Sequence, residues 1–280
     1  TTLAQACYRY MFSYSGVTSV PSGLLPATTL ARSCYNDMFG YCYSLTTIPS
    51  DLLPATMLEY RCYYGMFFGC TSLTNVPNLP ATTLADSCYS NMFSGCTSLT
   101  NIPTGLLPAT TLEPYCYHQM FRVCIGLTNI PDLPATTLAS SCYSSMFGNC
   151  NGLTSIPSGL LPSTTLASSC YSGMFYDCTN ITRAPDLPAT TLADACYYQM
   201  FYGCTGLTTA PVLPATTLAD SCYSQMFCDC NRLIEAPSSL PATNLTSCCY
   251  ERMFCGCTSL TTAPALPATT LTNSCYYNMF

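Results

Sequence analysis

An α/β repeat solenoid, with one short parallel strand and one short helix in every 26–28-residue repeat, is the fold class this sequence predicts. Three observations carry the prediction. The tetrad Cys-Tyr-x-x-Met-Phe recurs eleven times, from Cys7 to Cys275. Apolar residues within each unit fall four apart, and prolines recur at two fixed places per unit. A 280-residue array of this kind grows by adding units and need not divide, so residues 1–280 read as a single solenoid domain of about ten and a half repeats. The chain starts inside one unit and stops at Phe280, just after a tetrad, so it is expected either to be a segment of a longer array or to stack its ends on neighbours. Neither end reads as a polar capping repeat, and any targeting segment is expected outside this stretch.

The elements follow in order along one unit, Thr82 to Ala109. Leu84, Cys88, Met92 and Cys96 stand four apart, with Ala85, Tyr89 and Phe93 in a second row beside them, which predicts an amphipathic helix of about ten residues. Asp86 or Ser87 would cap its start, as Asp194 and Asp220 would in their own units, and Gly95 would end it. Cys96, Leu99 and Ile102 then recur every third residue, a spacing suited to a short strand at a bend, and Pro103 stops it. Stacked at roughly 4.8 Å, some ten such strands would line a rod about 50 Å long. Pro108 starts the extended Ala-Thr-Thr segment leading to the next helix.

The core of this unit, Met-Phe-x-Gly-Cys-Thr-Ser-Leu-Thr-x-x-Pro, is seen in Met66 to Pro77, Met92 to Pro103 and Met253 to Pro264, and nearly so in Met200 to Pro211. It resembles the BspA-like leucine-rich repeat of bacterial and protozoan surface proteins, over the whole chain. Ser15 in place of the second cysteine and Ile234 in place of threonine depart from the pattern. The resemblance implies a leucine-rich-repeat-like solenoid, an extracellular or cell-surface location, and adhesion to host or matrix proteins.

Only 7% of residues are charged, lysine is absent, and the net charge is -6. No basic stripe exists to neutralise phosphates, so nucleic acid is excluded as a partner class. Apolar runs fall well short of the roughly 18 residues a membrane span needs, so no membrane insertion is expected. Catalytic materials are few. His118 occupies a variable tetrad slot and reads as exposed filler, and no Gly-rich phosphate loop or acidic calcium-type cluster is present. No catalytic residue, cofactor or metal is assigned.

Of the 23 cysteines, the tetrad cysteine and a second one eight residues later recur in almost every unit. With a helix between them they would stand about 12 Å apart, beyond the roughly 7 Å limit of a disulfide, so they read as two ladders of buried thiols. Cys228 and Cys255, at equivalent places in adjacent repeats, are the one candidate disulfide.

Function is therefore sought in exposed rows. Thr74, Asn75, Thr100, Asn101, Thr128, Asn129, Thr154, Ser155, Thr208 and Thr209 form a hydroxyl and amide ladder along the strand, a candidate binding surface for protein, glycan or another copy of the chain. Tyrosines in variable tetrad slots, such as Tyr10, Tyr64, Tyr198 and Tyr277, add aromatic area. Long and short proline linkers alternate at first, and the inward Ile or Val gives way to Ala184, Ala210, Ala236 and Ala263, which predicts tighter packing or altered curvature after about residue 180. The reading is a non-enzymatic surface rod, structural or adhesive, able to stack head to tail into filaments. The alternative is a soluble ligand-recognition module of a larger receptor-like protein. Ice binding by threonine rows is a distant third.

Overall fold

A computed structural model describes residues 3–280 of the domain expected over 1–280. The chain winds into stacked coils, one per tetrad, but the expected helix is absent: no α-helix occurs among the described residues. In its place each tetrad builds a ribbon of successive four-residue turns. In the coil of Cys88 the left-handed backbone region recurs every fourth residue, at Ser87 (φ 57°), Asn91 (φ 58°) and Gly95 (φ 79°). A helix cannot accommodate that alternation.

Backbone hydrogen bonds explain why the ribbon forms. The N–H groups of Cys88, Ser90, Met92, Ser94 and Cys96 each donate to the carbonyl three residues back, at 3.1–3.2 Å. The intervening N–H groups of Ser87, Tyr89, Asn91, Phe93 and Gly95 donate to Pro114, Cys116, His118, Met120 and Arg122 of the next coil, at 2.8–3.1 Å. Alternate amides thus close turns and bridge coils, and no buried amide of the ribbon is left over. Three left-handed residues per coil cost about 1–2 kcal/mol each where they are not glycine. Five inter-coil bonds return about 1 kcal/mol apiece, so burial of the inward pairs must supply the margin.

The four-residue spacing misled for a definable reason. Steps of four drift by about 40° each on an α-helix, so Leu84 to Cys96 still fits within one broad apolar stripe. Both structures place the same side chains inward. Composition favoured the ribbon, because Cys, Tyr, Ser, Asn and Phe all have modest helix propensity, and Ser and Asn suit turns.

The inward pairs form the core. Tyr8 to Tyr276 make an unbroken column of eleven stacked rings with centroids 5.6–5.9 Å apart, and Phe12 to Phe280 make a second at 5.2–5.8 Å. Beside them run Met and Cys, fully buried in the central coils. The second cysteine does more than fill space. Each thiol from Cys42 to Cys257 in this slot donates to the phenylalanine carbonyl of the preceding coil at 3.0–3.3 Å. Burial pushes the tetrad thiol of Cys88 up to about 12, so it stays protonated at neutral pH.

The remaining perimeter has two edges where coils meet through single parallel bridges, such as Thr111 with Thr137 and Arg183 with Thr209, rather than through extended strands. The predicted strand is reduced to these bridges. Asp194 and Asp220, expected as helix caps, instead accept the N–H of Asp220 and Ser247 in the following coil, at 3.2 and 3.0 Å. After about residue 180 the pairing of the edges changes, not the spacing of the coils. Up to Thr182, bonds there join threonines 28 residues apart, such as Thr46 with Thr18 and Thr128 with Thr100. Beyond it, where Ala184, Ala210 and Ala236 replace larger residues, coils 26 residues apart also pair, through Thr208 with Thr182 and Ile234 with Thr208. The aromatic columns keep their spacing throughout.

Candidate binding surface

Two variable pairs per tetrad face outward on the turn ribbon, one after Cys-Tyr and one after Met-Phe. Their backbone atoms are bonded within the array, so the side chains are free to differ from coil to coil. In the first five coils they converge on a trough. Gly65 and Gly69, both with positive φ, lie beneath Asp37 and the Tyr41 ring of the preceding coil. Tyr14 stacks on Tyr41 at 4.6 Å, and Tyr41 meets Phe68 edge-on at 5.1 Å, making one wall. A side chain at Gly69 would collide with the Tyr41 ring that lies over it.

The other wall carries Tyr60, Tyr64 and Tyr115. The Arg61 guanidinium sits over the rings of Tyr60 and Tyr64 at 5.1 and 5.2 Å, and Arg32 over Tyr60 at 4.7 Å. Arg9 sits over Tyr10 at 4.8 Å and donates to Asn36 Oδ1 at 3.1 Å. Between the walls, Asn91 Nδ2 donates to the Tyr64 hydroxyl at 3.3 Å and Ser90 Oγ at 3.1 Å. Asp37 leans over Gly65, and its own burial, only partly offset by Arg9, pushes its carboxyl up to about 6. Two adjoining hollows of about 380 and 430 Å³ share Tyr64 and Asn91. His118 lines the second. It is half-buried rather than exposed filler, its Nδ1 has no partner, and burial together with Arg122 lowers its pKa.

A smaller aromatic cluster lies further along, where Tyr176 stacks on Tyr202 at 5.1 Å and a hydrogen bond to Asp229 raises the Tyr202 pKa. Asp177 and Asp229 each overhang a glycine of the next coil, Gly203 and Gly256, as Asp37 overhangs Gly65. This pairing of an overhanging side chain with a following glycine was readable in the sequence once coils are aligned.

The strand-ladder residues lie along one edge, and several are engaged with the array. Thr74, Thr128 and Thr208 donate their hydroxyls to Thr46, Thr100 and Thr182 carbonyls at 3.0, 2.9 and 3.4 Å. Asn75 holds the N–H and carbonyl of Ile48 at 3.0 and 2.7 Å, and Asn129 holds those of Ile102 at 2.9 and 2.7 Å. Thr209 bridges Arg183 and Glu235. Thr100, Asn101, Thr154 and Ser155 are exposed.

Cys228 and Cys255 occupy the second variable pair of adjacent coils. Cys228 is buried and Cys255 half-buried. The backbones of the two coils are bonded on either side of the pair: Phe227 N–H donates to the Met253 carbonyl and Asp229 N–H to the Cys255 carbonyl, at 2.9 and 2.7 Å. No group of three or more His, Cys, Asp or Glu suited to a metal ion occurs among the described residues. No helix among them is long and apolar enough to cross a membrane.

Coils with a bonded turn ribbon, an inward leucine edge and variable outward pairs define a leucine-rich repeat solenoid. The BspA type leucine-rich repeat region matches in successive blocks at residues 8–120, 32–157, 109–225 and 168–279, so the chain belongs to that family. Among solved structures, a leucine-rich repeat protein from Bacteroides ovatus is 18% identical over 81% of this chain and 74% of its own, with a TM-score of 0.28. A leucine-rich cell surface protein from Faecalibacterium prausnitzii is 16% identical over the same shares, at a TM-score of 0.34. A leucine-rich repeat protein from Eubacterium ventriosum is 13% identical over 86% of this chain and 78% of its own, at 0.33. No curated protein matches.

Proposed function

We propose that this chain is a non-enzymatic, extracellular or cell-surface recognition rod whose turn ribbon carries the adhesive surface. The observation that carries the reading is the division of labour within the ribbon. Its backbone and inward pairs are committed to stacking, while its outward pairs vary and gather exposed aromatic and polar groups into a trough. Exposed tyrosine and arginine are the side chains on which binding surfaces concentrate their energy. The surface location rests on family membership. Thr100, Asn101, Thr154 and Ser155 on the strand ladder offer a second, weaker contact row. The test is adhesion of the purified rod to immobilised matrix proteins and host-cell glycans. Substituting Tyr14, Tyr64 and Tyr115 together by serine should abolish retention, and unchanged retention would refute the assignment to the ribbon.

A second role, head-to-tail self-association, is favoured by the uniform register of the coil interface. Every coil offers the same row of N–H donors on one face and carbonyl acceptors on the other, so one coil surface suits any other. Negative-stain electron microscopy at high protein concentration should show filaments, and dispersed monomers would remove this role.

A further inference from the structure

Among the described residues three cysteines are not buried: Cys7, Cys248 and Cys255. Cys7 belongs to the inward tetrad column. Cys255 lies in the second outward pair of its coil, and Cys248 fills the slot before the tetrad that Tyr115 occupies in the trough wall. Of these two, only Cys255 has a thiol at the same slot of an adjacent coil, that of Cys228. At Cys248 the corresponding residues are Ser221 and Ser274. Cys230 and Cys257, a little further along each coil, are committed to the core, where their thiols donate to the Phe201 and Phe227 carbonyls at 3.0 Å. The outward pair therefore stands apart from both buried ladders.

Coil geometry lets the two sulfurs meet. Cys228 N–H and Cys255 N–H close the same turn, each donating at 3.2 Å, to the Gln225 and Arg252 carbonyls, so both side chains leave the ribbon in the same direction. Next to them the Phe227 and Phe254 rings stack at 5.6 Å, a coil spacing inside the roughly 4.4–6.8 Å that a disulfide spans between Cα atoms. The two thiols differ in access. Cys228 is 1% exposed, and burial, then Asp229, then Cys255 push its thiol up to about 12. Cys255 is half-buried, and a hydrogen bond to it raises the pKa of Arg252, whose guanidinium is placed to stabilise negative charge on the Cys255 sulfur. One sulfur is open to a reagent and the other is held behind it.

We propose that Cys255 and Cys228 form an exchange site for low-molecular-weight disulfides, with Cys255 as the entry thiol and Cys228 as the resolving one. The Cys255 thiolate attacks one sulfur of such a compound, the S–S bond breaks, and the released half leaves as a thiol carrying the proton that Cys255 gave up. Cys228 then attacks the Cys255 sulfur of the mixed disulfide, loses its own proton, and expels the second half as a thiol. The two cysteines together lose two electrons, and the compound is reduced to two thiols. The probe is oxidised glutathione on the whole folded chain, followed by acid quenching and peptide mapping without reduction. In wild type the adduct at Cys255 should decay, roughly tenfold or more faster than that at Cys248, as the Cys228–Cys255 bond appears. Cys228→Ser should hold the glutathionyl group on Cys255, and Cys255→Ser should leave Cys228 unmodified until the chain is unfolded. Serine already stands at this slot in two other coils, as Ser13 and Ser94, so both variants suit the ribbon. Wild type alone carries the comparison of Cys255 with Cys248, whatever the stability of the variants. An adduct that persists at Cys255 in wild type as it does at Cys248, or none at Cys255 in Cys228→Ser, overturns the site. An adduct at Cys228 in folded Cys255→Ser overturns the order of attack.

Discussion

The turn side and the bridged edges of the same coils bond in opposite ways. On the turn side the backbone makes five inter-coil bonds at every step but the last, and the outward side chains add contacts that differ from coil to coil, such as Arg9 with Asn36 and Tyr14 with Tyr41. On the strand-ladder edge the backbone bonds are sparser, and Thr74, Asn75, Thr128 and Asn129 add side-chain bonds across the gaps. Where backbone saturates itself, sequence is free to diversify; where it does not, side chains are drawn into structure. That is why the aromatic trough, rather than the hydroxyl ladder, has the chemical variety recognition requires.

The largest test of this contrast strikes the turn-side core. Tyr143→Ala removes a buried ring stacked on Tyr117 and Tyr171 at 5.8 Å on each side, and should cost about 3–5 kcal/mol in urea unfolding. A cost near that of an edge substitution would break the comparison.

Next comes a cross-link on the turn side. Oxidised glutathione should close Cys228 and Cys255 into a disulfide, the two thiol protons and two electrons passing to glutathione, which leaves as two reduced molecules. The loop closed spans one repeat, so the gain is at most about 3.5 kcal/mol. Mass spectrometry should find this bond while the buried ladder thiols of the central coils remain alkylatable only after unfolding. Free thiol at both positions after oxidation would refute it.

On the edge, Asn129→Ala strips Ile102 of two partners and should cost about 1–3 kcal/mol. Thr154→Ala, exposed on the same edge, should lie within about 0.5 kcal/mol of wild type. Equal losses at the two positions would show that the side-chain bonds do not hold the edge.

Gly203→Ala, on the turn side, should cost about 1–2 kcal/mol, because its φ of 68° disfavours a side chain and Asp177 occupies the space. Adding Asp177→Ala should restore the part due to collision but not the part due to φ. No recovery in the double variant would mean the collision is relieved by rotation of the carboxyl.

The smallest effect is a pH slope. The folded-state pKa of Asp37, about 6, lies above its ordinary value of 3.8, so its contribution is fully present below about pH 4 and is lost as pH rises through 6. Asp37→Asn should therefore match wild type at pH 4 and exceed it at pH 7, by about 1 kcal/mol once solvent screening of the half-buried carboxyl is allowed for. Thermal melts across that range decide it, and parallel profiles would show that Asp37 titrates normally.

Much of the fold was legible before any coordinates. The repeat length, the inward role of Cys, Tyr, Met and Phe, and the proline-bounded edges all follow from which residues recur. The helix was not separable from the turn ribbon, because a period of four places Leu84, Cys88, Met92 and Cys96 on one side in either. The thiol bonds to phenylalanine carbonyls were hidden too, since a buried cysteine reads as a small hydrophobe. Of the trough, only the tyrosine slots could be seen: Tyr10 and Tyr64 stood out, but Asp37 and Asn91 became neighbours of them only when coils were stacked.

Residue order alone was enough to establish a repeating stack with a dry aromatic and thiol core, because burial depends on recurring side-chain type more than on local geometry. Only the tertiary structure decided how each coil is wound and which outward groups meet. Alternate amides of the ribbon find their partners some 26–28 residues away, in the next coil, so its conformation is a property of the stack and not of any single unit.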